Sequence, residues 1–144
     1  NGIHRKGSRC HTIAMHPSNE MFATGGNDSI LALWDFEEFL CSGTITDNVY
    51  PVRQLSFSPC GQFIAAFAKM TGKEFEKVVV EVFDTEQKVR VASVPQPPTI
   101  SSENKTSLDW NPRHLDRPVL AIAGHNSNSQ GVVHMLQLGP TSNQ

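Results

Sequence analysis

One pattern occurs three times along this chain and limits what it can fold into. The segments HTIAMHP (11–17), VRQLSFSP (52–59) and KTSLDWNP (105–112) each alternate polar and apolar residues and end on a proline. Alternation with a period of two is typical of a strand with one buried face. The closing prolines lie at positions 17, 59 and 112, so the spacings are 42 and 53 residues. A recurring unit of this length indicates a repeat architecture.

Each repeat continues with further strand-like segments. The second segments are rich in small apolar residues: MFATGG (21–26), FIAAFA (63–68) and VLAIAG (119–124). A third segment follows in each repeat: ILALWD (30–35), VVVEVFD (78–84) and GVVHML (131–136). A fourth follows in the first two repeats, FLCSGTI (39–45) and KVRVASV (88–94), but after Leu138 the chain offers only the turn-rich GPTSNQ. No window of 11 or more residues holds a clean helical period. We therefore predict an all-β fold with three four-stranded antiparallel units, the last lacking its outer strand.

The longer second spacing has two sources. The segment KMTGKEFEK (69–77) lengthens the connection between the second and third strands of the middle repeat, and PQPPTISSEN (95–104) lengthens the link to the last repeat. The predicted units cover residues of about 10–45, 50–94 and 104–138, followed by a tail at 139–144.

The stretch FATGGNDSILALWDF (22–36) resembles a WD repeat. The matching positions are a hydroxyl on the second strand (Thr24), Gly-Gly, an Asp in the tight turn (Asp28), and Trp34-Asp35 at the end of the third strand. The resemblance implies that Asp, His, Thr and Trp form a buried hydrogen-bond chain. A carboxylate, an imidazole, a hydroxyl and an indole N–H can be linked in that order.

The sequence does not decide which residue fills the histidine position of this hydrogen-bond chain. The family spacing places it near Lys6, so His4 takes the role only if the preceding linker carries two extra residues. The other repeats have Phe83-Asp84 and Met135-Leu136 at the Trp-Asp positions and carry no recognisable chain of this kind.

A wider combination of segments resembles the WD-repeat subunits of THO complexes: CHTIAMHP, FATGGNDSILALWD, YPVRQLSFSPCGQFIA and DWNPRHLDRPVLAIAG. This resemblance implies part of a WD-type β-propeller that acts as a non-enzymatic protein-interaction scaffold. Its implied partners are other THO (TREX) subunits, its implied location is the nucleus, and RNA would be met at most indirectly. The alternative is a WD-repeat scaffold of another nuclear assembly, chromatin-modifying or RNA-processing.

The resemblance also implies a missing part. Propellers close with about 4 to 8 blades, so we expect this chain to be the C-terminal part of a longer propeller. An open arc of three blades exposes two faces, and we expect it to self-associate.

The sequence offers no catalytic or metal-binding motif. It contains no G-x-S-x-G, H-E-x-x-H or G-x-x-x-x-G-K-[ST] pattern. Cys10, His11 and His16 are close in sequence, but residues 10 and 11 of an extended strand face opposite sides. We expect no enzyme activity, no metal, no cofactor and no small-molecule substrate.

Composition narrows the class of partner. The net charge is −2, from 12 basic and 14 acidic residues, which does not favour direct binding to phosphate backbones. Three cysteines without a C-x-x-C pair are typical of a reducing intracellular compartment. The longest uncharged apolar stretches have about six residues, against roughly 20 for a membrane span.

Five residues are candidates for partner binding. Arg5, Lys6 and Arg9 form a basic group before the first repeat, and its alternative role is a solvated linker. Tyr50 and Arg53 flank the start of the second repeat and belong to residue types enriched at binding hot spots. Tyr50 has an alternative role too, as packing between blades beside Pro51.

Overall fold

A computed structural model describes residues 4–48, 50–71, 76–95, 106–113, 117–125, 128 and 130–139. The regular elements of this part of the chain are eleven strands. The first sheet contains β1 (Cys10–Met15), β2 (Met21–Gly26), β3 (Leu31–Asp35) and β4 (Cys41–Ile45). The second contains β5 (Val52–Phe57), β6 (Phe63–Thr71), β7 (Glu76–Asp84) and β8 (Arg90–Pro95). The third contains β9 (Ser107–Trp110), β10 (Val119–His125) and β11 (Gly131–Gln137).

Each sheet is an antiparallel meander in chain order, with four, four and three strands. The predicted fold class is confirmed: the described residues are all-β, and their three antiparallel sheets are arranged as expected for blades of a partial β-propeller, the last with three strands. No helix in the described residues could cross a bilayer.

The insertion in the middle repeat is partly strand. Lys69, Met70 and Thr71 continue β6 and pair with Val78, Lys77 and Glu76 of β7. The segment that we predicted to lengthen a connection therefore also lengthens a hairpin. Residues 72–75, most of the predicted link at 95–104 and the tail beyond Gly139 lie outside the described residues.

The middle sheet is covered on both faces, and β6 shows why. Ile64 and Ala66 contact a cluster shared with the first sheet, whereas Phe63, Ala65 and Phe67 contact a cluster shared with the third. Because successive strand residues point to opposite faces, a strand buried on both sides reads as an uninterrupted apolar run. The FIAAFA segment is such a run.

Two hydrophobic clusters hold the three sheets together. The first lies between the first and second sheets: Ala23, Leu31, Leu33, Ile45, Val52, Leu55, Phe57, Ile64, Ala66 and Phe83. The second lies between the second and third sheets: Phe63, Ala65, Phe67, Val78, Val80, Val82, Leu108, Trp110, Leu120 and Ile122. Trp110 also donates its indole N–H to the Ser56 carbonyl (3.0 Å), which ties β9 to β5.

The first and second sheets also meet through His16. Its ring packs edge-on against Phe57 at 5.1 Å between centroids, and its Nε2 lies 3.1 Å from the Gly61 carbonyl oxygen. Its Nδ1 accepts from the Ser18 backbone N–H (3.1 Å), so the proton on Nε2 is free to be donated to Gly61. His16 therefore has a structural role at a contact between sheets.

Candidate partner-binding surface

The strand ends define two ends of the molecule. Strands β1, β3 and β5 begin where β2 and β4 end, so the residues before β1, the β2–β3 turn and the β4–β5 link lie together. We call this the basic end, because Arg5, Lys6, Arg9 and Arg53 lie there. We call the opposite end, where β1, β3 and β5 finish and where Glu20, Glu37 and Glu38 are exposed, the acidic end.

A chain of side-chain hydrogen bonds supports the basic end of the first sheet. Trp34 donates its indole N–H to Thr24 Oγ1 (2.9 Å), and Thr24 Oγ1 lies 2.9 Å from His4 Nε2. His4 Nδ1 lies 3.0 and 3.1 Å from the two carboxylate oxygens of Asp28. The structure thus brings together all four residues that the WD resemblance singles out.

The direction of each bond follows from the chemistry of the partners. An ionised carboxylate can only accept, so His4 Nδ1 carries a proton, and an indole N–H can only donate, so Thr24 Oγ1 accepts from Trp34. The Thr24 hydroxyl proton remains for His4 Nε2. A neutral imidazole therefore satisfies every donor and acceptor along the chain.

The Asp28 carboxylate is buried, with a side chain 1% exposed, against 15% for His4. Burial by itself would raise the pKa of its carboxyl, but donors outweigh that effect: the backbone N–H of Arg5, the His4 imidazole and the backbone N–H of Ile30. The pKa of Asp28 is consequently below its ordinary value. The carboxylate thus also fixes the path of the segment before β1.

The extra residues before β1 are taken up by a turn. The Ser8 N–H donates to the Arg5 carbonyl oxygen (2.8 Å), and Gly7 has a φ of 84°. Glycine adopts this left-handed conformation at little cost. The turn leaves Lys6 exposed and places His4, two residues earlier, against Asp28.

At the basic end, two sheets meet through Arg53. Its Nη1 lies 2.6 Å from His11 Nε2 and 3.1 Å from Asn27 Oδ1. Arg9 is joined to the same turn, since its carbonyl oxygen accepts from the Asn27 N–H (2.9 Å). Arg5, Lys6 and Arg9 are exposed, so these residues and Arg53 form one basic surface across the first and second sheets.

Bulges explain how His11 and Arg53 meet. The β1–β2 register shifts between Cys10 and Thr12, and the β5–β6 register shifts between Val52 and Gln54. His11 and Arg53 are therefore the extra residues at matching positions of their sheets. A bulge redirects a side chain away from the regular alternation, and here the two redirected side chains contact each other.

The remaining candidates are less connected. Tyr50 is half-buried in the link between β4 and β5, at the basic end, and Asn48 is buried in the same link. In the ranges that the structure describes, no group of three His, Cys, Asp or Glu residues could hold a metal ion. What the basic end offers is charge and hydrogen-bond donors.

Comparison with known proteins decides the family. The family model described as "WD domain, G-beta repeat" matches residues 3–35, the stretch that holds all four members of the hydrogen-bond chain. The chain is a WD-repeat protein. The three antiparallel sheets agree with that family's fold.

Two curated relatives extend the WD-repeat match. The chain is 30% identical over 119 residues to "THO complex subunit 3" of Arabidopsis thaliana, which covers 83% of this chain and 33% of the relative. It is 36% identical over 53 residues to "WD repeat-containing protein AAC3" of Dictyostelium discoideum, which covers 33% of this chain and 11% of the relative. The chain thus spans about a third or less of the length of these relatives.

The second WD-type blade lacks this hydrogen-bond chain, and the strand register shows which residues stand at the positions of its members. Thr24 pairs with Ala32 in the first sheet, and its counterpart Ala66 pairs with Glu81. Phe83 stands where the first blade has Trp34. Without a hydroxyl and an indole N–H at these positions, the second blade relies on the apolar cluster that contains Ala66 and Phe83.

Sequence reasoning missed the role of His11 and Asn27 on the basic surface. The sequence brings His11 forward only as a candidate metal ligand, and it brings forward no role for Asn27. A strict alternation would point residue 11 away from residue 53, and the sequence pattern carries no sign of the bulges. The available signal is the equal distance of His11 and Arg53 from the following proline, since each lies six residues before it, at Pro17 and Pro59.

Proposed function

We propose that this chain is part of a non-enzymatic propeller scaffold that holds protein subunits together in a THO-type complex, acting in nuclear mRNA processing and export. The observation that carries the proposal is the similarity to THO complex subunit 3 of Arabidopsis thaliana across 83% of the chain. The rigid sheets support it, because loops fixed on a rigid frame are the usual location of binding residues.

The basic end is the proposed partner-binding surface. Arg5, Lys6 and Arg9 are exposed there, and the half-buried Arg53 and Tyr50 lie at the same end of the molecule. The Asp28 carboxylate is buried beside the His4 imidazole and contributes little negative charge to this surface, while Asp47 is an exposed acid at the same end. Arginine side chains favour planar acceptors such as carboxylates. RNA is then met through the protein partners of the scaffold.

Affinity purification of the full-length protein from its own cells tests this proposal. We expect THO subunits to be recovered, and we expect much weaker recovery with the combined variant R5A/K6A/R9A/R53A. The matched control is R113A/R117A, which removes two exposed arginines at the acidic end. Recovery of a chromatin-modifying or other RNA-processing complex without THO subunits would contradict the assignment. Equal recovery by both variants would contradict the proposal that the basic end is the partner-binding surface.

A further inference from the structure

The turn between β3 and β4 exposes three large apolar side chains at the acidic end. Phe36 is 44% exposed, Phe39 65% and Leu40 61%. Phe36 packs edge-on against Phe22 at 6.0 Å and at a tilt against Phe39 at 5.7 Å. Residues 36–40, which we call the aromatic turn, therefore carry a continuous aromatic ridge. This ridge is far from the basic end and is not part of the surface proposed above.

The backbone of the aromatic turn is repeated in the second sheet. Asp35 Oδ1 accepts from the N–H groups of Glu37 and Glu38 (2.9 and 2.8 Å). Asp84 Oδ1 likewise accepts from Glu86 and Gln87 (3.0 and 2.8 Å). The turns match closely, so the second serves as an internal reference for what this conformation requires of its side chains.

Two side chains of the aromatic turn are apolar where the second turn has polar ones. Phe36 and Phe39 stand where the second turn has Thr85 and Lys88. Both Phe39 and Lys88 adopt a left-handed backbone, with φ of 53° and 59°. A bulky residue in this region costs about 1–2 kcal/mol, which glycine avoids and asparagine reduces. Phe39 thus occupies a strained position.

The Lys88 side chain contacts a neighbouring sheet, whereas the Phe39 side chain is mostly exposed. The far end of the Lys88 side chain, from Cδ to Nζ, lies beside Gly43 of the first sheet, although Lys88 as a whole is exposed. Phe39 leaves most of its ring in water and recovers little burial for its strained backbone. Backbone strain without a local gain points to a contact made outside the fold.

The charges around the aromatic turn indicate what makes that contact. Glu37 and Glu38 are exposed within the turn itself, and Glu20 is exposed beside it, with its carbonyl oxygen accepting from the Phe36 N–H (2.8 Å). An apolar ridge rimmed by carboxylates is complementary to an apolar surface flanked by Lys and Arg. We propose that the aromatic turn docks an amphipathic basic segment of a partner protein, with Phe39 as its anchor.

The test uses a fluorescein-labelled 14-residue peptide of Leu and Lys in a helical amphipathic pattern, titrated with the full chain and followed by anisotropy. We expect Phe39→Asn to weaken binding about tenfold or more, in the range of a hot-spot residue. Because asparagine tolerates the left-handed backbone, the urea midpoint of this variant should stay the same or rise. The matched control, Lys88→Asn, should leave peptide binding unchanged.

Two further arms address charge and apolar contact separately. The double variant E37K/E38K should also weaken binding, and a peptide with Ser in place of every Leu should not bind. Equal binding of the Ser and Leu peptides would overturn the proposal, because charge alone would then explain the interaction. A fall in the urea midpoint of Phe39→Asn with binding intact would overturn it as well, since the ring would then act in folding. So would sedimentation velocity showing that Phe39→Asn abolishes self-association, which would make a second copy the occupant.

Discussion

At the scale of single residues, the Asp28–His4–Thr24–Trp34 chain concentrates the polar chemistry of the first sheet. Each proton along it has one acceptor, and its central groups lie away from solvent. A buried polar network is stabilising when every member is satisfied and costly when one partner is lost. We predict that this hydrogen-bond chain stabilises the first blade, and substitution of Asp28 tests the prediction.

We expect Asp28→Asn to lower the unfolding free energy at pH 7 by about 1–3 kcal/mol, because it leaves buried donors without a charged acceptor. The pKa of Asp28 is lowered in the folded protein, so its ionised form stabilises the fold above the unfolded value of 3.8. That contribution is lost as the pH falls below about 4 through the folded pKa. Urea unfolding between pH 7 and pH 3 measures both effects.

The variant should therefore lose less stability than the wild type on acidification below about pH 4. Asp47→Asn is the control, since Asp47 is an exposed aspartate at the same end of the molecule. Parallel pH profiles for Asp28→Asn and the wild type would show that the carboxylate does not act in this way.

At the scale of elements, glycines set how closely neighbouring sheets approach. A Cβ on Gly25 of β2 would lie 2.5 Å from Val52 Cγ1 and 2.9 Å from Val52 Cβ, and Val52 is fully buried at the start of β5. A Cβ on Gly43 of β4 would also meet an atom of the next sheet, but that atom belongs to the flexible end of Lys88. The two distances are similar, but the buried Val52 side chain has little room to move, whereas the end of the Lys88 side chain is flexible.

We expect Gly25→Ala to destabilise the protein by about 1–3 kcal/mol, because Val52 is held on all sides and the sheets must separate. Gly43→Ala should cost less than about 0.5 kcal/mol, since the Lys88 side chain can swing into water. Urea unfolding of the two variants under the same conditions compares them. Similar losses for both would mean that Lys88 is as tightly fixed as Val52.

At the scale of the whole molecule, the outer sheets each leave one face uncovered. Ile13 and Met15 are exposed on the first sheet, and Val133 and Met135 are exposed on the third. The register makes Met15 the counterpart of Phe57, which is buried in the middle sheet, because Met15 pairs with Phe22 as Phe57 pairs with Ile64. Both faces therefore carry apolar side chains of the kind that pack against a neighbouring sheet, but no sheet covers them in the part of the chain that the structure describes.

We expect the chain to self-associate through these faces in dilute buffer, since exposed apolar sheet faces favour association. Sedimentation velocity over a range of concentrations measures it. The double variant V133K/M135K should shift the distribution toward monomer without a loss of stability, whereas V91K, at an exposed position of β8, should not. A wild-type chain that stays monomeric at all concentrations would show that the faces are better protected than their exposure indicates.

Much of the fold could be read from the sequence because it is written in local patterns. Alternation located the strands, prolines located the ends of the first strand in each repeat, and the run from Phe63 to Ala68 marked a strand covered on both faces. The family motif selected Thr24, Asp28 and Trp34, since their spacing follows from a hairpin of fixed length. These features depend on neighbours within one sheet.

The remaining features depend on how separate segments meet, and a linear pattern does not record that. Only the tertiary structure decided between His4 and Lys6, because the turn at Gly7 takes up the extra residues before β1. Only the tertiary structure brought His11 to Arg53, because bulges turn both side chains out of the strict alternation. Side-chain alternation along a strand is a local consequence of backbone geometry. Contacts between sheets, in contrast, are set by the packing of segments that are far apart in sequence, as His11 and Arg53 are, 42 positions apart.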